Sequence, residues 1–178
     1  MRSWADYLYT PGEFVYAGKQ FHAQKNHVNR FYRENPSARL VLVTAENRDR
    51  VSAFLNTVLE KKQDMSDWER GEVEGTRDLL YLAEPLRQIG AFLDTDNGIA
   101  SFAMGEIRGD TLHIHAEKAN PDFHGAYPAI AAAFAAYAGK NVIYINREDD
   151  AGDLGIRYSK EQYRPVAMIQ KYCVQYGD

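Results

Sequence analysis

The sequence predicts an α/β (α+β) domain: a mixed central sheet with antiparallel strands, flanked by helices and preceded by an N-terminal strand and helix extension over 1–36. Three observations predict it. The chain has 178 residues, a length that suits one domain and buries roughly 70% of the surface of the unfolded chain. Apolar spacing is mainly helical from about residue 19 to 82, with one short strand at Arg39 to Val43, changes to a period of two between 90 and 118, and then alternates helices with short strands. Within the period-two stretch, Asp96-Asn97-Gly98 and Gly109-Asp110 are tight-hairpin signals that make consecutive strands antiparallel. No repeat or linker divides residues 37–178.

The elements follow in order. Asp6 to Tyr9 reads as a short strand punctuated by a Thr10-Pro11-Gly12 turn. From Lys19 to Asn35 the period is helical, with Phe21, Val28, Phe31 and Tyr32 on one side; Asn35-Pro36 ends the helix. Lys19, His22, Asn26, Arg30 and Arg33 gather on its other side, within roughly 80° at 100° per residue. Arg39 to Val43 is a strand, and Thr44 or Asn47 caps a helix that buries Val51, Phe54, Leu55, Val58 and Leu59. Ser66 with Glu69 is a capping box opening a helix towards Leu82. Gly90 to Asp94, Ile99 to Arg108 and Thr111 to Lys118 are the three hairpin-linked strands. Tyr127 to Tyr137 is an Ala-rich buried helix, Val142 to Ile145 a strand, Asp153 to Tyr163 a helix and Val166 to Val174 a final apolar strand that places Cys173 in the core.

Charge and composition narrow the function. The net charge is -4, but residues 1–63 carry 10 basic and 6 acidic groups and residues 64–110 carry 4 and 11. Strong non-specific nucleic-acid binding by the whole chain is disfavoured, whereas a basic face on the N-terminal helix suits phosphate. One cysteine permits no internal disulfide, which makes the cytoplasm the default. The longest apolar run, Ala129 to Ala138, is about half of what a membrane span needs, and the N-terminus shows no signal peptide.

The element order matches that of the Gcn5-related N-acetyltransferase (GNAT) fold, in which two neighbouring strands splay and the acyl donor enters between them. Three constellations sit where that wedge would be. His113, His115 and Glu117 share one strand face at a spacing of about 6.5–7 Å. That row reads as a metal site, as an acid/base cluster, or as an ordinary polar strand face; three groups in line on one strand converge poorly on a single ion, so no metal is expected. Asn120 to Tyr127 occupies the place of the pyrophosphate-binding loop, but aligning Gly125 with its first glycine puts Asp122 where a basic or amide residue belongs and Tyr127 where a small one belongs. Coenzyme A is disfavoured by this loop, and no cofactor is expected. Asn146, Arg147, Glu148, Asp149 and Asp150 follow a short apolar strand and suit either a solvated helix N-terminus or the binding of an amine or acyl group. Tyr158 to Tyr163 resembles the Tyr-x-x-x-Gly-Phe segment of acetyltransferases, with Tyr158 as a general acid and Tyr163 as a packing aromatic.

Gly18-Lys19-Gln20-Phe21-His22 through Phe31, His115-Ala116-Glu117-Lys118 through Tyr127, and Tyr144-Ile145-Asn146-Arg147-Glu148-Asp149 through Pro165 together resemble the phosphatidylglycerol lysyltransferase C-terminal-like family. The one departure within these motifs is Arg164, where that family commonly has His. The resemblance implies a GNAT-type unit, usually one of two in tandem, that moves an aminoacyl group from aminoacyl-tRNA. It implies as partners a charged tRNA, a small-molecule or lipid-headgroup acceptor, and a second such unit or a second copy of the chain. The expected roles are Glu117 as base aided by His115, and Arg147 or Lys160 stabilising the oxyanion, an effect worth roughly 3–4 kcal/mol in acyl-transfer sites. Substrate contacts are expected from Lys118, Gly125, Tyr127, Asn146, Glu148, Asp149 and Tyr163, and phosphate contacts from Lys19, His22, Arg30 and Arg33. The alternatives are a coenzyme A-dependent acetyltransferase of a small amine and a non-catalytic binding module.

Overall fold

A computed structural model describes residues 4–61 and 67–175, and the capping box at Ser66 lies outside them. The order is β1 (Asp6–Tyr9), α1 (His22–Glu34), β2 (Arg39–Leu42), α2 (Arg48–Lys61), α3 (Asp67–Tyr81), β3 (Ile89–Thr95), β4 (Gly98–Arg108), β5 (Thr111–Ala119), α4 (Ala126–Ala138), β6 (Tyr144–Asn146), α5 (Leu154–Gln162) and β7 (Ala167–Ile169). One seven-stranded sheet runs β2-β3-β4-β5-β6-β1-β7. Its pairs are antiparallel except β5 with β6, which run parallel and match only Thr111–His113 with Tyr144–Asn146. The hairpins at Asp96-Asn97-Gly98 and Gly109-Asp110 form as their turn chemistry dictates, with Gly98 and Gly109 at positive φ.

Both sheet faces are covered. β3 shows the division residue by residue: Ala91 and Leu93 pack with Phe31 of α1 and Ile130 and Phe134 of α4, while Phe92 packs with Leu55 of α2 and Leu80 of α3. Full burial of side chains such as Phe134 and Leu55 contributes about 1.5–3 kcal/mol each. The alanines of α4 let it lie close to both the sheet and α1, and Ala126, Ala129, Ala131, Ala135 and Ala138 are all buried.

The stretch 1–36 supplies β1, seated between β6 and β7, together with α1. The Thr10-Pro11-Gly12 turn opens a 3-10 helix over Pro11–Val15, with Pro at a first-turn position where its missing N–H costs nothing and the Glu13 carboxylate accepting from the Thr10 amide at 2.6 Å. Towards the other end, the strand expected over Val166–Val174 forms only at Ala167–Ile169, and Cys173 is exposed instead of buried. β7 is the outer strand of the sheet, so beyond its three paired residues nothing covers the alternate side chains, and Tyr172 and Val174 face solvent.

Two glycines mark where backbone approaches backbone. A β-bulge shifts the β4–β5 register at Met104/Gly105, and a Cβ on Gly105 would lie 2.1 Å from the His113 carbonyl oxygen. Gly125 precedes α4 at φ 79°, and a Cβ there would lie 2.2 Å from the carbonyl oxygen of His27 on α1. Gly125→Ala therefore combines left-handed strain with a clash against rigid backbone, and is expected to cost at least about 2 kcal/mol, lowering Tm by roughly 4–8 °C. A circular-dichroism melt that matches the unsubstituted chain would contradict this role for Gly125.

Candidate functional site

The short pairing of β5 with β6 creates the site. After His113 and Asn146 the two strands part. β5 continues to Ala119, while the chain leaving β6 turns sharply through Glu148 at φ 58° and Ala151 at φ 49°. Between them opens a cleft of about 760 Å³, walled by α1, the start of α4, β5, the 147–151 loop and α5.

Two charged pairs cross the wedge. Arg147 donates from Nε to Glu117 Oε2 at 2.8 Å, and its Nη2 reaches the same oxygen. The two side chains are 9% and 11% exposed. The guanidinium lies 4.4 Å from the ring centroid of Tyr163, a stacking worth about 0.5–2 kcal/mol. Tyr163 is itself wedged among Tyr9, Phe14 and Tyr16. Further out, His115 Nδ1 meets Glu148 Oε1 at 2.7 Å, and its Nε2 lies 3.7 Å from Glu106 Oε1. The Glu148 carboxylate raises the His115 pKa above its ordinary value, against the opposing effect of burial.

The 147–151 loop is fixed from beneath. Lys160 on α5 donates from Nζ to the carbonyls of Arg147 at 2.6 Å and Glu148 at 3.3 Å, and to that of Asp149. Burial pushes the Lys160 pKa down to about 8. Asp150, fully buried, accepts from Tyr7 Oη at 2.6 Å, Arg157 Nε at 2.7 Å and the Gly152 amide at 2.9 Å. The Arg157 guanidinium holds the Asp150 carboxyl well below the usual carboxylate range. Asp153 caps α5 by accepting from the Ile156 amide at 2.8 Å.

Three buried polar atoms along the cleft make no hydrogen bond within the described residues: Glu117 Oε1, Arg147 Nη1 and Gln24 Oε1. A buried polar group left unmatched costs about 1–3 kcal/mol. All three belong to residues lining one cleft.

Of the residues expected to act, the structure brings His115, Glu117, Lys118, Tyr127, Arg147, Glu148, Asp149, Tyr158, Lys160 and Tyr163 to this cleft. Lys118 pairs with Glu72 at 2.6 Å, Asp149 pairs with Lys171 at 2.6 Å, and Tyr158 is 67% exposed. Asn146 and Gly125 are not among the lining residues: Asn146 is buried against Asp6, to which it donates at 3.0 Å, and Gly125 spaces α1 from α4. Lys19, His22, Arg30 and Arg33 lie on an exposed face beside the cleft wall, not in it, and Arg30 pairs with Glu34 at 2.7 Å. Three amides of the Asn120–Ala126 loop bond within it, Asp122 N on Asn120 Oδ1, Phe123 N on Asn120 O and Ala126 N on Phe123 O, while Lys61 bridges Asn120 and Asp122. Sequence reasoning missed Gln24, Asp150 as a buried anchor, and Arg157. Only the last pair left a signal, an acid and an arginine seven residues apart on either side of the Asp153 cap. Among the described residues no three His, Cys, Asp or Glu side chains are grouped to hold a metal, and no helix is long and apolar enough to cross a membrane.

The family model for phosphatidylglycerol lysyltransferase, C-terminal, matches residues 1–175. The chain belongs to this family. Among solved structures, a conserved protein of unknown function from Bacteroides thetaiotaomicron is 31% identical with a TM-score of 0.83, covering 94% of this chain and 58% of that one. L-PGS from Bacillus licheniformis is 16% identical with a TM-score of 0.65, over 93% of this chain and 58% of that one. A possible acetyltransferase from Clostridium difficile shares the fold at 12% identity and a TM-score of 0.50, over 79% of this chain and 96% of that one. The fold is thus acyltransferase-like, of the GNAT type. The chain spans 58% of the length of the first two relatives. No functionally curated protein is significantly similar to it in sequence.

The His115–Glu148 contact has a pH signature. Because the folded pKa of His115 is raised, its contribution to stability is complete below the unfolded value of about 6.5 and is lost as pH rises through the folded value. In an NMR titration the His115 ring should change protonation above pH 6.5, and Glu148→Gln should lower that midpoint. An unshifted midpoint in the variant would remove the pair from the wedge.

Proposed function

We propose that this chain is the acyl-handling unit of an aminoacyltransferase, taking an aminoacyl ester of tRNA as donor and a hydroxyl or amine, of a small molecule or lipid headgroup, as acceptor. The observation that carries the reading is the buried Arg147–Glu117 pair at the parting of β5 and β6, with a guanidinium N–H left over. Arg147 Nη1 would donate to the ester carbonyl and to the oxyanion that forms when the acceptor lone pair attacks it. The bond to the tRNA oxygen then breaks, and the acceptor proton ends on that oxygen, with the exposed Tyr158 hydroxyl at the cleft mouth as its carrier. Protonating Glu117 would strand a buried guanidinium, so its place in this scheme is as counter-ion to Arg147. Lys160 is committed to loop carbonyls and shapes the site, leaving oxyanion stabilisation to Arg147. The basic face of Lys19, His22 and Arg33 flanks the cleft on the side where α1 contributes Gln24 and His27, which suits the phosphates of a nucleic-acid donor.

The coenzyme A alternative has less support. Three amides of the Asn120–Ala126 loop, those of Asp122, Phe123 and Ala126, bond within the loop and are withdrawn from cradling a pyrophosphate, and Gly125 is pressed against His27.

A thermal melt separates the two. Aminoacyl-tRNA at saturating concentration should raise Tm by several degrees, since ligand at about 100 times Kd adds roughly 2.7 kcal/mol, and Arg147→Lys should lose much of that shift. A rise with acetyl-coenzyme A and none with charged tRNA would overturn the proposal.

A further inference from the structure

We infer that the cleft selects donors by their free α-amino group, read by Gln24 and Glu117. The inference rests on the aminoacyl reading above and adds to it the feature of the donor that the site recognises. Gln24 is 8% exposed, on the α1 wall of the cleft. Its Nε2 donates to the Gln162 carbonyl at 3.2 Å, which fixes the amide orientation and leaves Oε1 as an acceptor without a partner among the described residues. Glu117 is held in the same way, with Oε2 taken by Arg147 and Oε1 left over. The third unpartnered atom, Arg147 Nη1, is a donor.

Two acceptors, one of them anionic, and one donor define a complementary ligand. It carries a cationic group with several N–H bonds next to an oxygen acceptor. An α-aminoacyl ester has that arrangement: its ammonium and its carbonyl oxygen are separated by two carbon atoms, and Glu117 Oε1 and Arg147 Nη1 flank a single ion pair. A ligand carboxylate would meet Glu117 as a like charge. A simple acyl group would leave both acceptors unmatched. Nα-acylation removes the positive charge and leaves a single N–H for two acceptors. A site built to hydrogen-bond one group rejects analogues lacking it far better than an apolar pocket rejects a size difference. The other acids at the cleft are less available, since Glu72 pairs with Lys118, Glu148 with His115, Asp149 with Lys171 and Asp150 with Arg157.

The test is calorimetric titration of the full chain with the methyl esters of L-lysine and L-alanine and with their Nα-acetyl counterparts. The free-amine esters should bind at least about tenfold more tightly than the acetylated ones, the range of a hydrogen bond to a charged group. Gln24→Leu should shrink that ratio several-fold while still binding the acetylated esters, and Gln24→Glu, which puts an anionic acceptor in its place, should keep or raise it. Equal binding of free and acetylated esters overturns this inference alone, as does Nα-acetyl-lysine ester binding as well as lysine ester, which would assign the acceptors to a side-chain amine. Failure of all four esters to bind overturns it together with the aminoacyl reading. If Gln24→Leu does not fold, the unsubstituted ratio and Gln24→Glu still decide.

Discussion

Past the three matched residues of β5 and β6, backbone hydrogen bonds no longer join the two strands, and Arg147 and Glu117 hold the wedge at a fixed width. The pair lies at a depth where either charge alone would be costly, because taking a guanidinium or carboxylate out of water is offset only by a partner in good geometry. That dependence explains much around it. Tyr163, Tyr9 and Phe14 present ring faces to the guanidinium, and Lys160 and Asp150 hold the loop from which Arg147 projects. Such an arrangement contributes less to stability than apolar packing of equal volume would. Its consequence is specificity of shape: one width for the cleft, and unpartnered polar atoms on the residues that line it.

The scaffold around the wedge is conventional where no chemistry is needed. The alanine surface of α4 and the glycine contact at His27 bring α1 against the sheet, so that Gln24 forms part of the cleft wall while Phe31 stays in the core. The register shift at Met104/Gly105 leaves His115 unmatched on β5, two residues past His113, the last residue of β5 that pairs with β6. The β5 bulge and the parting of β5 from β6 thus fall at nearly the same level of the sheet.

The fold was legible because its signals are local. Period-two spacing and the two hairpin turns fixed β3, β4 and β5, and the Ala-rich run fixed α4. The wedge residues His115, Glu117, Arg147 and Tyr163 were legible from motif spacing. What local pattern cannot carry is pairing at long range. Glu117 meets Arg147 across 30 residues and Tyr7 meets Asp150 across 143, and neither contact leaves a trace in the residues between. Gln24 is a lone amide on an amphipathic helix, marked only by where the helix lies. Lys160 shows the converse: its residue type suggests direct chemistry, and only the fold reveals that its ammonium donates to three carbonyls. The end of the chain misled for a simpler reason, since an apolar alternation cannot tell a central strand from an outer one.

The claim that one buried ion pair sets the geometry of the wedge is tested most directly by a double-mutant cycle in urea between Arg147→Met and Glu117→Leu. Each single substitution strands the opposite charge and should cost about 3–5 kcal/mol, and the double variant should be no less stable than either single one. Additive losses in the double variant would show that the two side chains act independently, and would contradict the account.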